Sequence, residues 1–168
     1  MSSNDQFEIV LVPGAEHSPS HYKDLLSQFE QNGHKAHAIS LPSVGSANPK
    51  TTTASDDVHA VRNQLLIPLL DTGKNVVVIG HSYGGFIASG VIHGLGSGDR
   101  KVGGVVLVLV IVAGFACSKA ISMAECTSLG RPHQHPSWSD TSVGIYQKIL
   151  IHLFALTLHC RRWKVKAS

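Results

Sequence analysis

The chain has 168 residues, of which 43% are hydrophobic and 15% are charged, and its formal net charge at pH 7 is +3. This length suits one domain with a single hydrophobic core. Four of the 14 basic residues lie within 161–168, so residues 1–160 carry 10 basic against 11 acidic residues. The body of the chain is therefore near neutral, which argues against a surface that binds nucleic acid.

The first elements predicted along the chain are a strand, a helix and a second strand. The apolar run from Phe7 to Val12 stops at Pro13-Gly14 and is typical of a strand. A helix is predicted to open at Ser18-Pro19 and to end at Gly33. Its apolar stripe consists of Tyr22, Leu25, Leu26 and Phe29. The segment from His37 to Leu41 predicts the second strand.

A loop rich in Ser, Thr, Pro and Gly follows over residues 42–54, and a helix is predicted from about Ser55 to Gly73. The apolar face of this helix consists of Val58, Val61, Leu65 and Leu69. Asp56 and Asp57 lie in its first turn, where the helix dipole favours acidic side chains. We interpret both as helix-capping residues and not as catalytic ones.

The most informative motif is G-x-S-x-G at residues 80–84, between a predicted strand from Val76 to Ile79 and a helical pattern that continues to about Gly94. A tight strand-to-helix turn of this kind exposes the serine hydroxyl beside the N–H groups of a helix N-terminus. The order of elements therefore predicts a nucleophile elbow with Ser82 as the nucleophile. The alternative is a glycine-rich turn in which Ser82 only caps the helix.

The neighbours of Ser82 have separate predicted roles. Gly80 and Gly84 are expected to be structural, because a Cβ at either position would clash with the adjoining strand and helix. His81 is adjacent to Ser82 on the turn, so its side chain should point elsewhere. We interpret His81 as a residue at the end of a strand and not as the general base.

Residues 102–112 predict a fourth strand, within an uncharged stretch that extends to residue 118. This stretch is shorter than the roughly 20 residues of a transmembrane helix and is rich in valine, which favours a buried strand. Strands and helices thus alternate along the chain. The fold class predicted from this alternation is α/β, with one open parallel sheet and right-handed crossovers.

Residues 1–6 are polar and do not resemble a signal peptide. The three cysteines, Cys117, Cys126 and Cys160, match no metal-binding spacing, and we expect reduced thiols in a cytoplasmic protein. His133 and His135 are flanked by prolines, which predicts a loop and not a metal site. No glycine-rich nucleotide-binding motif follows a strand, so no cofactor is expected.

Residues 9–15, the loop ending at 55–58, and the motif at 80–85 together resemble the α/β-hydrolase family. The resemblance covers about residues 7–116 and is nearest to a small esterase-like branch that includes plant methylesterases and hydroxynitrile lyases. In that branch a His-Gly-X triplet after the first strand carries an oxyanion donor. Here the triplet is Pro13-Gly14-Ala15. The resemblance implies an oxyanion hole formed by the backbone N–H groups of Ala15 and Tyr83.

The family order is nucleophile, acid and then histidine. Asp140 with His152 or His159 is the pair that has this order beyond the fourth strand. The sequence around Asp140 reads as a loop, however, and residues 149–160 are more typical of a helix or a membrane-surface segment. We therefore expect one partial domain over 1–168, truncated within the family fold, with the C-terminal strands missing and an atypical tail at 141–168.

These observations leave three functions open. The first is a serine-dependent carboxylic-ester hydrolase, or a related acyl-transfer or lyase catalyst, that acts on a small apolar molecule. The second is a catalytically inactive remnant that serves as a binding protein or has no function. The third, which we favour least, is a protein that contacts a membrane surface through residues 149–166. The sequence does not indicate an oligomeric state.

Overall fold

The computed structural model describes residues 7–114, in which parallel strands alternate with helices. The strands are β1 (Phe7–Val12), β2 (Ala36–Ala38), β3 (Asn75–His81) and β4 (Val106–Val112). The helices are α1 (Lys23–Gln31), α2 (Ala54–Ala60), α3 (Ile67–Asp71) and α4 (Tyr83–Val91). A 3-10 turn at Pro19–Tyr22 leads into α1, and a π-helical segment at Val61–Leu66 joins α2 to α3.

The described strands form one sheet in the order β2-β1-β3-β4, and every pair is parallel. This confirms the open parallel α/β sheet predicted from the sequence. The register places Val12 beside Gly80, and His81 beside Val112. The carboxyl ends of β1, β3 and β4 therefore converge on the residue that follows β3, which is Ser82.

Both faces of the sheet are covered, which explains the unbroken apolar run in β3. Val76 and Val78 contribute to the larger cluster, with the buried side chains Val61, Leu66, Leu70 and Ile87 of the helical segments. On the other face, Ile9, Val77 and Ile79 pack with Phe29 of α1. Successive residues of β3 thus pack into opposite layers.

Two predicted strands are shorter than expected. β4 begins at Val106 and not at residue 102, because Gly103 has φ +79° and Gly104 donates its N–H to the carbonyl of Leu70 at 2.7 Å. Val102 is 83% exposed. β2 ends at Ala38, which pairs with Leu11 one residue before the end of β1, and the chain then leads to a turn in which the N–H of Val44 bonds to the carbonyl of Leu41.

The helix predicted from Ser55 to Gly73 corresponds to a helical run over 54–71, which begins after the N-cap residue Thr53. Gly73 lies just beyond its end with φ +82°, as expected of a glycine that terminates a helix. Within residues 7–114, no helix has both the length and the hydropathy needed to cross a membrane.

Candidate active site at the Ser82 turn

Ser82 occupies a tight turn between β3 and α4. Its backbone has φ 53° and ψ −120°, a conformation that is uncommon and unfavourable for a residue with a side chain. The turn is held by two hydrogen bonds. The N–H of Ser82 donates to the carbonyl of Val112 at 2.9 Å, and its carbonyl accepts from the N–H of Gly85 at 3.0 Å. The surrounding backbone therefore imposes the conformation of Ser82.

Gly80 and Gly84 allow the strand and the helix to approach each other closely. A Cβ on Gly80 would lie 2.6 Å from the carbonyl oxygen of Gly84. A Cβ on Gly84 would lie 2.5 Å from the carbonyl oxygen of Pro13 and would also overlap that of Val12. Both distances are shorter than any normal carbon–oxygen contact, so neither position has room for a side chain.

The loop after β1 is joined to the Ser82 turn through Tyr22. The hydroxyl of Tyr22 accepts a hydrogen bond from the N–H of Gly14 at 3.0 Å and shares one with Nδ1 of His81 at 2.8 Å. The helical spacing of Tyr22 predicts only a place in an apolar stripe and gives no sign of this link. A Cβ on Gly14 would lie 3.4 Å from Cβ of Ser82, so the two segments are in direct proximity.

Asp57 does not cap α2, and the interpretation of both acidic residues as caps was wrong for this one. Asp56 is the N3 residue of a capping box with the N-cap residue Thr53, since its Oδ2 accepts from the N–H of Thr53 at 2.7 Å. Asp57 is 0% exposed. Its Oδ1 accepts from the N–H of Ser43 at 2.8 Å, and its Oδ2 accepts from the Ser43 hydroxyl at 2.6 Å and the Tyr83 hydroxyl at 2.8 Å.

Helical spacing could have revealed the burial of Asp57. Ala60 and Val61, three and four residues later, are both buried, so Asp57 lies on the inward face of the helix. A pattern that counts only apolar residues does not show that an acidic residue lies on the buried face of α2. Burial, followed by the hydrogen bond to Asp57, raises the pKa of the Tyr83 hydroxyl well above its usual value of 10.0. Tyr83 is therefore a neutral hydrogen-bond donor at physiological pH.

A cavity of about 450 Å³ lies next to the turn. Its walls come from the loop after β1, the loop after β2 and the first residue of α4. The lining residues are Ala15, Glu16, Ser43, Val44, Gly45, Ser46, Pro49 and Tyr83. Ala15 and Tyr83, the two predicted oxyanion donors, thus line one cavity at the carboxyl end of the sheet, whereas Ser82 itself is not among its lining residues.

The structure brings together some of the predicted site residues and leaves others outside its described range. Ser82, Gly80, Gly84, Ala15 and Tyr83 all lie around the junction of β1, β3 and α4. The predicted acid and base candidates, Asp140, His152 and His159, lie outside residues 7–114, as do the three cysteines and His133 and His135. Among residues 7–114, no cluster of three or more His, Cys, Asp or Glu side chains could hold a metal ion.

The family model described as "Alpha/beta hydrolase family" matches residues 9–165. The chain belongs to the alpha/beta hydrolase family. The match spans nearly all of the chain, including most of the 141–168 segment, for which we predicted a departure from the family pattern. That expectation, and the family-like limits of 7–116, stay predictions.

Curated relatives of this hydrolase-family chain come from a fungus and from plants. The chain is 34% identical over 117 residues to "Alpha/beta hydrolase nvfD" of Aspergillus novofumigatus, which covers 70% of this chain and 45% of that protein. It is 37% identical over 91 residues to "Norfluorocurarine synthase 2" of Strychnos nux-vomica, which covers 51% of this chain and 32% of that protein. The chain thus spans less than half of the length of these relatives.

Solved structures agree with the fold. Tomato methylketone synthase I, crystallised with 2-tridecanone, superposes with a TM-score of 0.56 at 18% identity, over 74% of this chain and 46% of that one. An extracellular alpha/beta-hydrolase from a Paenibacillus species superposes with a TM-score of 0.53 at 17% identity, over 73% of this chain and 49% of that one. At these identities, the likeness supports the alpha/beta-hydrolase fold alone.

Proposed function

We propose that this protein is a serine-dependent hydrolase of carboxylic esters and that Ser82 is its nucleophile. The observation that carries the proposal is the conformation of Ser82, with φ 53°, on a turn whose flanking glycines leave no room for side chains. Such a turn between a parallel strand and a helix is the nucleophile elbow of the family. An unfavourable conformation enforced by its surroundings is typical of a functional residue.

The oxyanion hole of this proposal consists of the backbone N–H groups of Ala15 and Tyr83. When Ser82 Oγ attacks an ester carbonyl, negative charge develops on the carbonyl oxygen, and two N–H donors would stabilise it. The position of Ala15 and Tyr83 on one cavity supports this assignment. The link from Gly14 through Tyr22 to His81 also supports it, because it fixes the loop that carries Ala15 beside the elbow.

Ser82 requires a general base, because a serine hydroxyl is a weak nucleophile at neutral pH. We assign this role to His152 or His159, with Asp140 as the acid that orients the imidazole. The base would accept the proton of Ser82 Oγ during attack and return it to the leaving alcohol. Water would then hydrolyse the acyl-enzyme by the same route. His81 is not assigned as the base, because its Nδ1 already contacts Tyr22.

The substrate class proposed is a small, largely apolar ester. A cavity of about 450 Å³ lies within the range of small-molecule sites. The ligand in the methylketone synthase crystal, 2-tridecanone, is consistent with an apolar compound in this fold. The fold itself does not fix the substrate, since one fold supports many chemistries. Lyase chemistry on the same residues therefore stays an alternative within the proposal.

Two assays test this proposal. A fluorophosphonate probe should label the wild-type chain, and Ser82→Ala should abolish labelling. Turnover of p-nitrophenyl acetate should be lost in Ser82→Ala and in either His152→Ala or His159→Ala. Gly90→Ala serves as a control, because Gly90 lies on α4, away from the cavity lining, and should leave both signals unchanged.

The competing function is a catalytically inactive remnant that binds a ligand or partner. Its expected result is equal, background-level turnover in the wild type and in every variant, with no labelling of Ser82. Robust turnover that depends on Ser82 and on one histidine would instead establish a complete catalytic triad and would exclude the remnant.

A further inference from the structure

Asp57 is a buried carboxylate without a cationic partner. Among residues 7–114, the ion pairs join Glu8 to His37 and Lys74, and Asp71 to Arg100, and none includes Asp57. Burial of a carboxylate is costly unless hydrogen bonds replace its hydration. The three donors from Ser43 and Tyr83 meet that requirement. The hydrogen bonds therefore hold the Asp57 carboxylate in place, and they also hold the Ser43 and Tyr83 hydroxyls in place.

The two partners of Asp57 belong to different elements that both contribute to the cavity lining. Ser43 lies on the loop after β2, whereas Tyr83 is the first residue of α4 and directly follows Ser82. Both residues line the cavity, but Asp57 does not. The carboxylate therefore joins two lining residues of the cavity without lining the cavity itself.

We propose that Asp57 is a positioning residue that holds Tyr83 and the Ser43 loop at a fixed separation and so sets the shape of the cavity. For catalysis this inference rests on the proposed function, since Tyr83 supplies one of the two proposed oxyanion donors. Displacement of a catalytic donor by about 1 Å can cost roughly a hundredfold in rate. The hydroxyl groups of Ser43 and Tyr83 serve this purpose by donating to Asp57, so neither is left to donate to a ligand.

The experiment compares Asp57→Asn and Tyr83→Phe with the wild type, and uses Asp56→Asn as the matched control. Asp57→Asn leaves one acceptor oxygen for three donors. Tyr83→Phe removes one donor and keeps both the carboxylate and the ring, so it preserves the fold if Asp57→Asn does not. Asp56→Asn makes the same chemical change one residue away, on the exposed face of α2.

The first measurement is amide hydrogen exchange by NMR and does not depend on activity. We expect the Ser43 amide to exchange at least about tenfold faster in Asp57→Asn than in Asp56→Asn, because that N–H donates to Asp57. The amides of Val77 and Val78 in β3 should keep their wild-type protection in both. Unchanged exchange at Ser43, or an equal increase at Ser43 and in β3, would overturn the positioning role.

The second measurement is the rate of fluorophosphonate labelling, together with kcat and KM for p-nitrophenyl acetate. We expect kcat and the labelling rate to fall at least about tenfold in Asp57→Asn, and less in Tyr83→Phe, with a smaller change in KM. Asp56→Asn should react like the wild type. If the wild type is reactive, equal reactivity of all four proteins would overturn the proposal even if exchange at Ser43 changed.

The two proposals fail in different ways. An unreactive wild-type chain refutes the proposed function, and amide exchange at Ser43 then decides the role of Asp57 alone. A reactive wild type whose Asp57→Asn variant is equally reactive leaves the hydrolase proposal intact and refutes the inference.

Discussion

At the scale of single residues, the site depends on its glycines as much as on its hydrogen-bonding side chains. Gly80 and Gly84 have no room for a Cβ, and this close approach places Ser82 at the carboxyl end of β3. Tyr22 and Asp57 then fix the two neighbouring loops through hydrogen bonds. The serine is thus surrounded by contacts that leave its backbone little freedom.

Gly84→Ala should destabilise the protein strongly. The added methyl group would overlap the backbone carbonyls of Val12 and Pro13, and backbone in a central strand cannot move aside easily. We expect a loss of about 3 kcal/mol or more in the free energy of unfolding, measured by urea denaturation.

Gly90→Ala is the matched control on the same helix. Its Cβ would meet only the two methyl groups of Val58, at 3.1 and 3.6 Å, and alanine favours the helix by about 1 kcal/mol over glycine. The free energy of unfolding should therefore change by no more than about 1 kcal/mol. A similar large loss in both variants would show that the close approach at Gly84 is not the cause.

At the scale of elements, the start of α2 combines a reciprocal cap with the buried Asp57. The N–H of Thr53 donates to Asp56, and the N–H of Asp56 donates to the Thr53 hydroxyl. The helix thus begins at Ala54, directly after the N-cap residue Thr53. These two adjacent acidic residues thus have different functions, one local to the helix and one that joins separate elements.

Asp56→Asn should lower stability in a manner that depends on pH. Hydrogen bonds from the N–H and then the hydroxyl of Thr53 lower the pKa of Asp56 below 3.8. A group whose pKa is lower in the folded state stabilises the fold above its unfolded pKa. The wild type should therefore have the higher Tm at pH 7, and the difference should shrink as the pH falls below 3.8. A difference that is constant between pH 7 and pH 3 would contradict this.

Most of the elements could be predicted from the sequence, because their signals are local. Each signal determines the conformation of the backbone next to it. Examples are the valine run in β3, the glycines around Ser82 and the proline or glycine at helix ends. The start of β4 could not be predicted, since it depends on contacts of Gly103 and Gly104 with Leu70 and Lys74. The hydrogen-bond partners of Asp57 could not be predicted for the same reason, because they lie in two other elements.

At the scale of the whole molecule, the described part of the chain has a core on each face of the sheet. The larger cluster lies between the sheet and the helices α2 to α4, and it includes Leu66 at 0% exposure. The smaller cluster lies beneath α1. The site is at the edge of the sheet where the strands end. The larger cluster therefore packs against the strand and the helix that flank the Ser82 turn.

Leu66→Ala should cost about 2–5 kcal/mol in the free energy of unfolding, because it removes a fully buried side chain and leaves a cavity. Leu107→Ala makes the same change at a residue of β4 that is 47% exposed. We expect Leu107→Ala to lower the free energy of unfolding by well under half as much as Leu66→Ala. Calorimetry or urea denaturation of the two variants would check the difference, and equal losses would be inconsistent with this arrangement of the core.

The hydrogen bond from the N–H of Ser82 to the carbonyl of Val112 couples the backbone motion of the serine to the opening of β4. Each transient opening at the end of this strand releases the serine amide. Gly114, just beyond, lies so close that a Cβ there would be 2.5 Å from the carbonyl oxygen of Ser82. If the strand end opens with equilibrium constant K, the population with an ordered serine is 1/(1 + K). Fraying of β4 therefore sets an upper limit on the fraction of molecules in which the backbone of Ser82 has this conformation.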